Sequence, residues 1–259
     1  MILSAPVLFY GILAIALILV VTVLVLFFRS SKGKGVMGEY RVKNTLTRLF
    51  GKHGVVFNGF ICVDESFHNE EDADQQRTIE IDHIVVCDRG VLVVETKNYA
   101  GEIYGRVEDR EWTQVLGNGN VRNKMHSPIF QNETHCHFVR KIIGGSVPVR
   151  SVIVFVNNNT ENVDAGEVVG LASLSRYLKK LPIVLDRDRI PAIAEKLRAA
   201  DRSDEISSRQ HVRNVKRLVE GVEKGVCPRC GGKLVVKKDN EGEYYGCSNY
   251  PKCKFRKPI

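Results

Sequence analysis

Four cysteines near the C-terminus constrain this chain more tightly than any other feature. They stand as Cys227-x2-Cys230 and Cys247-x5-Cys253, with sixteen residues between the pairs. The 35 residues that hold them cannot bury enough apolar surface to fold alone. Two close cysteine pairs at this separation supply four thiolates for a tetrahedral zinc ion, which then contributes to folding. A closed four-thiolate set suits structural zinc, not catalytic zinc. Gly231 and Gly232 permit the tight turn after the first pair. The other cysteines, Cys62, Cys87 and Cys136, are far apart in apolar or mixed surroundings and read as reduced, buried thiols.

The opposite end is equally distinct. Ala5 to Phe28 is a run of 24 residues without a charge. About 20 apolar residues cross the ~30 Å hydrocarbon core of a bilayer. No basic residue precedes the run and no A-x-A pattern follows it, so an uncleaved transmembrane helix over 5–28 is expected rather than a signal peptide. Arg29, Lys32 and Lys34 come next, and basic flanks stay on the cytoplasmic side. That predicts a single-pass protein of the inner (cytoplasmic) membrane with most of the chain in the cytoplasm. Three charges are too few for a lipid-specific site. Ser30 to Gly35 reads as a short flexible linker. Residues 35–200 form a mixed domain, 201–224 a charged, helical linker, and 225–259 the ribbon.

The net charge is +8, from 38 basic and 30 acidic residues, and the composition is 44% hydrophobic. A fully disordered, collagen-like or disulfide-scaffold chain is excluded. Eight basic and three acidic residues follow Gly225, so much of the excess sits in the ribbon. There Lys237, Lys238, Lys252, Lys254 and Arg256 interleave with Tyr244, Tyr245, Tyr250 and Phe255. That mixture suits stacking on single-stranded bases while pairing with phosphates, and DNA is the expected partner. RNA stays open, and some of these aromatics serve equally well as the small core.

The middle segment carries the candidate chemistry. Gly38 to Phe50 has the apolar spacing of an amphipathic helix, with Glu39 in its first turn. Val55 to Val63 reads as a strand, Asp64 to Thr78 as a loop, and Thr78 to Cys87 and Val91 to Tyr99 as a hairpin across Asp88-Arg89-Gly90. Strict alternation puts Ile79, Ile81, His83 and Val85 on one face, with Glu80, Asp82, Ile84 and Val86 on the other. Val91 to Val94 wants burial on both sides, yet Glu95 and Lys97 follow at once on one face. A half-buried acid and lysine need a partner or a metal to offset desolvation. With Asp82 nearby on the adjoining strand, two carboxylates and a lysine suit Mg²⁺ or Mn²⁺ and phosphodiester hydrolysis. Taken alone, Glu95-x-Lys97 reads equally as a strand-end salt bridge. Ile129 to Ile143 is expected to be a helix, with Pro128 at its start and Gln131 and His135 on one face. Trp112 and His83 read as core, Ser151 to Val156 as an interior strand, Leu171–Leu181 and Arg189–Ala199 as covering helices, and Gly101 to Gly105 as a turn. Walker, Rossmann and nucleophile-elbow patterns are absent.

Five motifs in order carry a resemblance: Gly38-Glu39, E-I-D-H-I-V-V from Glu80, V-E-T-K-N-Y-x-G from Val94, W-x-Q from Trp112, and S-P-I-x-Q-N-x-x-H from Ser127. Over Gly35 to Val156 the chain resembles the nuclease-related domain, NERD, which is similar to the PD-(D/E)xK nucleases. The resemblance implies a restriction-endonuclease-like α/β mixed-sheet domain, with Asp82 and Glu95 as ligands of catalytic Mg or Mn and Lys97 as the catalytic lysine. It also implies that Glu39, Gln131, His135 and, in W-x-Q, Gln114 lie at or near the site. Ile81 stands where the proline of a P-D motif would be. The ribbon resembles the C4 zinc finger of type IA topoisomerases, which implies binding to single-stranded DNA. The expectation is a membrane-anchored DNA-processing enzyme, with a non-catalytic membrane-tethered DNA-binding protein as the alternative.

Overall fold

A computed structural model describes residues 5–67, 75–239 and 242–258. The expected loop from Asp64 to Thr78 therefore falls partly outside the described residues. The chain divides into two compact units. One comprises Met1–Leu49, Glu95–Pro128 and Val152–Leu181, and the other Phe50–Val94, Ile129–Ser151 and Pro182–Ile259.

In the first unit, helix α1 runs Ala5–Arg29 and helix α2 runs Ser31–Phe50, ending just past the unit's edge. The linker expected over Ser30 to Gly35 is therefore almost entirely helical. Ser30 alone interrupts the two helices: its hydroxyl donates to the Phe27 carbonyl (2.6 Å) and accepts from the Gly33 amide (3.1 Å). That pattern closes one helix and caps the next. The apolar side chains of α1 from Leu13 onward are exposed. Among the described residues no single helix is long and apolar enough to cross a membrane; Leu13–Arg29 and Ser31–Phe50, bent by 77°, qualify only together.

The same unit holds a four-stranded sheet in the order β6-β5-β4-β8, from β4 (Glu102–Arg106), β5 (Glu111–Leu116), β6 (Val121–His126) and β8 (Asn162–Asp164). The turn expected at Gly101 to Gly105 is strand β4 instead. Gly101 starts it at φ +76, where a Cβ would meet the Val115 carbonyl at 2.1 Å, so only glycine allows this entry. Trp112 is fully buried and stacks on Phe155 with ring centroids 6.3 Å apart, as a core residue should.

In the second unit β1 (Val55–Val63), β2 (Thr78–Cys87) and β3 (Gly90–Lys97) form an antiparallel meander. By hydrogen bonding the strand order is β1-β2-β3-β7-β9, where β7 (Val149–Phe155) from Val152 on and all of β9 (Val168–Gly170) are counted with the first unit. Because β7 and β9 pair in parallel, the sheet is mixed. The flat alternation expected along β2 does not hold. One core cluster gathers Ile79 and Ile81 with Ile84 and Val86, which are of opposite parity. The β1–β2 ladder omits the Gly59–Asp82 step, and Gly59 has φ +62, so the strand pair changes its facing there.

Helices α3 (Pro128–Ile143) and α5 (Ile190–Ala200) pack onto this cluster through Cys136, Val139, Ile193 and Leu197. Helix α4 (Leu171–Lys180) follows β9 directly. Helix α6 (Ser208–Glu223) carries a Ser207/Gln210 capping box and is fastened to β2. Ser208 donates to Glu80 (2.6 Å), and His211 Nδ1 lies 2.9 Å from the Thr78 hydroxyl. The ribbon completes the unit as β10 (Leu234–Asp239), β11 (Gly242–Cys247) and β12 (Arg256–Pro258).

Candidate active site and zinc centre

Strand β3 is buried from Gly90 through Glu95. Its apolar run forces the strand into the interior, and the chain then delivers Glu95 and Lys97 at the strand's end. The Lys97 ammonium sits 2.7 Å from Glu95 Oε1, with side-chain exposures of 15% and 4%. This is a desolvated pair, where electrostatics count for more than on the surface.

Polar side chains fix the turn that follows. The Val156 amide donates to the Lys97 carbonyl (2.9 Å). Asn157 donates to Asn98 Oδ1 and to the Tyr99 carbonyl, and Asn159 donates to the Tyr99 and Gly101 carbonyls. Asn98 donates to the Lys34 carbonyl on α2 (2.5 Å). Gly38 meets the same turn: a Cβ there would lie 3.1 Å from Asn98 Cβ and 3.2 Å from Val156 Cγ2. Glycine thus allows α2 to approach closely, and exposed Glu39 is the next residue. Gln114, on β5, donates to the Ala100 carbonyl (2.9 Å) and accepts from Asn123, which ties it to the chain just after Lys97. Glu39, Glu95, Lys97 and Gln114 therefore all belong to the first unit.

Asp82, Gln131 and His135 belong to the second. Asp82 is half-buried on β2, next to His83, whose ladder partner is Val94. His83 is buried, as expected of a core histidine, and its Nδ1 lies 2.9 Å from Asn58 Oδ1. On α3, Gln131 is exposed and His135 is buried. Between them lies Asn132, fully buried and donating to the Val93 carbonyl and the Ser151 hydroxyl, each at 2.9 Å. It locks α3 to β3 two residues before Glu95. Sequence reasoning carried Asn132 within the motif from Ser127 but gave it no role, and it missed the Asn157-Asn158-Asn159 run. A cluster of amides directly after a buried strand was the available signal.

In the ribbon, Cys227, Cys230, Cys247 and Cys253 bring their sulfurs within 4.8 Å of one another. Among the described residues this is the group of three or more such ligands. Gly231, at φ +75, turns the first loop, and Gly232 leaves room for Asn249, whose side chain donates to Cys230 Sγ (3.6 Å). Four soft thiolates this close together, with an outer hydrogen bond from Asn249, fit zinc. Phe255 is half-buried against the cysteines and belongs to the small core. Tyr250 is 65% exposed, with the Lys237 ammonium 5.1 Å from its ring centroid. Arg256 lies over Tyr244 at 4.1 Å and pairs with Asp239, while Tyr245, Lys238, Lys252 and Lys254 are exposed. Elsewhere, burial pushes the Cys62 thiol up to about 12 and those of Cys87 and Cys136 to about 11, so all three stay protonated and inert.

Residues 34–156 match the nuclease-related domain. Residues 224–259 match the topoisomerase DNA-binding C4 zinc finger. An uncharacterized protein of Bacillus anthracis is 35% identical over 124 residues, 48% of this chain and 53% of that protein. DNA topoisomerase 1 of Methanocaldococcus jannaschii is 62% identical over 34 residues, 13% of this chain and 4% of that enzyme. DNA topoisomerase 1 of Archaeoglobus fulgidus is 40% identical over 86 residues, 31% of this chain and 12% of that enzyme. The chain thus spans about half of the first relative and a small part of the topoisomerases. No solved structure matches. A NERD domain joined to a topoisomerase-like zinc ribbon suggests a role in DNA processing.

Proposed function

We propose that this protein is a membrane-tethered, metal-dependent nuclease that hydrolyses DNA phosphodiesters and holds its substrate with the zinc ribbon. The observation that carries this reading is the buried Glu95–Lys97 pair at the end of β3, inside the NERD match. Asp82 and Glu95 offer hard carboxylate oxygens, a donor set that fits Mg²⁺ or Mn²⁺. Such an ion, when bound, supplies Lewis-acid neutralisation of the phosphate charge. Lys97 orients the attacking water and stabilises the developing negative charge. As water adds to phosphorus, one P–O ester bond breaks; the products are a phosphomonoester and an alcohol, and the leaving oxygen takes up a proton. In this reading Glu39 adds a further acid, Gln114 keeps the turn after Lys97 in place, and Gln131 and His135 on α3 are the family motif's polar residues for the phosphate. The ribbon raises the local DNA concentration by tethering. The uncharged run Ala5 to Phe28 of α1, exposed from Leu13 on, with Arg29, Lys32 and Lys34 after it, supports anchoring in the inner membrane, with the remaining chain on the cytoplasmic side.

A second reading is a non-catalytic DNA-binding tether. The observation favouring it is the same 2.7 Å pair, in which each partner already neutralises the other. A cleavage assay on the full-length protein in detergent separates the two. It uses single-stranded and duplex DNA with Mg²⁺ or Mn²⁺, beside Asp82→Ala and Lys97→Ala. Cleavage lost in both variants, with DNA binding retained, supports the nuclease. No cleavage by the parent, with zinc-dependent DNA binding intact, supports the tether.

A further inference from the structure

A groove of about 1110 Å³ lies in the second unit between helix α3 and the two cysteine loops of the ribbon. Its helical wall is one stripe of α3: Phe130, Thr134, His137 and Lys141, at steps of three and four residues. Its other wall is Arg229, Tyr250 and Lys252. Arg77 ties the walls together, donating to the Arg229 carbonyl (3.3 Å) with its guanidinium 5.4 Å from the Phe138 ring centroid.

The charges on this surface are uneven. Among the described residues lining it, Arg77, Lys141, Arg229 and Lys252 stand beside Asp64 and Glu133. Asp64 is already engaged by Arg77 (3.1 Å) and Lys141 (3.3 Å), so the outer cations of the ribbon wall are left to meet solvent. The groove also presents two exposed rings, Phe130 at 41% and Tyr250 at 65%. Cations that pair with phosphates beside rings that stack on bases form the surface that binds unpaired nucleotides, because only unpaired bases expose their faces.

Building on the DNA reading above, we propose that this groove seats single-stranded DNA between the ribbon and α3. Tyr250 stacks a base, Arg229 and Lys252 take phosphates, and the His137–Lys141 end of α3 guides the strand. The ribbon is thereby one wall of a two-walled site. Cys230 and Cys253 line the groove themselves, so zinc loading builds that wall. A strand seated there runs along the helix that Asn132 locks to β3 at the Val93 carbonyl.

The test measures binding of labelled oligo-dT, oligo-U and a duplex to full-length, zinc-loaded protein in detergent, without added Mg²⁺ or Mn²⁺. Three proteins are compared: the parent, a ribbon-wall variant (Arg229→Glu with Lys252→Glu), and a helix-wall variant (Thr134→Glu with His137→Glu). All four substituted residues are exposed, and zinc content checks the fold. The expected result is oligo-dT preferred over duplex and oligo-U, with affinity falling about tenfold in each variant. A loss confined to the ribbon-wall variant overturns the groove but leaves DNA binding by the ribbon standing. Equal or tighter binding of duplex or oligo-U overturns the single-stranded DNA assignment. No binding of any oligonucleotide by the zinc-loaded parent overturns the groove and the DNA reading together.

Discussion

The zinc ribbon and the end of strand β3 both concentrate polar groups in buried surroundings, but they do so by different means. The ribbon gathers four sulfurs from two short loops, each set within a few residues, around a metal that supplies folding energy. The end of β3 has no such local economy. Glu95 and Lys97 lie two residues apart, yet the turn that follows them is held by groups distant in the chain: α2 approaching at Gly38 and the amides of Asn157 and Asn159. A local site is as strong as its metal. A distributed site is as strong as the packing that desolvates it.

The largest effect should come from removing a zinc ligand. Structural zinc contributes roughly 10–16 kcal/mol of apparent binding energy in small ribbons at neutral pH. Cys227→Ser, or chelation, should release the metal and make the chain after Gly225 protease-sensitive. Secondary structure in β1–β3 should persist, as circular dichroism and mapped proteolysis will show. Loss of the whole fold would end the contrast between the two regions. Acidification should act in the same direction, because protons compete with zinc for the thiolates.

Next in size is the buried ion pair. Lys97→Met leaves a buried carboxylate uncompensated and should cost about 3–5 kcal/mol. Adding Glu95→Gln should recover most of it, so denaturant titration of both variants gives the coupling directly. A cost under about 1 kcal/mol would mean that the pair behaves as if at the surface. Asn132→Leu should cost about 2 kcal/mol, because the Val93 carbonyl and the Ser151 hydroxyl lose a donor.

A smaller, pH-dependent effect belongs to Asp64. Burial alone would raise its carboxyl, but the hydrogen bonds from Ser66 and the charges of Arg77 and Lys141 prevail and hold it below the usual range. A depressed carboxyl stabilises the fold fully above its ordinary value near about 3.9, and that contribution fades as pH falls through the lower folded value. Asp64→Asn should therefore lower stability at neutral pH by about 1–2 kcal/mol and flatten the acid limb of a melting-temperature profile. The smallest effect should be Arg256→Ala. Its pair with Asp239 is about one-third exposed, and its loss should change stability by about 0–1 kcal/mol.

Much of this was legible along the chain. The ribbon could be read from spacing alone, and α3, α4, α5, β1–β3 and β7 from apolar periodicity and their turn residues. Three elements escaped for identifiable reasons. The helix from Ser31 was hidden because Lys-Gly-Lys-Gly has poor intrinsic helix propensity, which the Ser30 cap and the packing at Gly38 override. Strand β4 was hidden because its glycines signal a turn, whereas Gly105 serves to admit Trp112, whose ring would lie 2.3 Å from a Cβ there. The parity change in β2 was hidden because it depends on Gly59 of the neighbouring strand.

The sequence by itself determined the four zinc ligands, the uncharged N-terminal run and the candidate trio of Asp82, Glu95 and Lys97, since each is a matter of residue type and spacing. Only the tertiary structure decided how deeply Glu95 is buried and which amides hold the turn after Lys97. It alone decided that Phe255 is core while Tyr250 faces solvent, and that the ribbon stands opposite one stripe of α3. The physical reason is range. Metal ligation and backbone periodicity act over a few residues, whereas desolvation and groove formation depend on surfaces that meet only after the chain has folded back on itself.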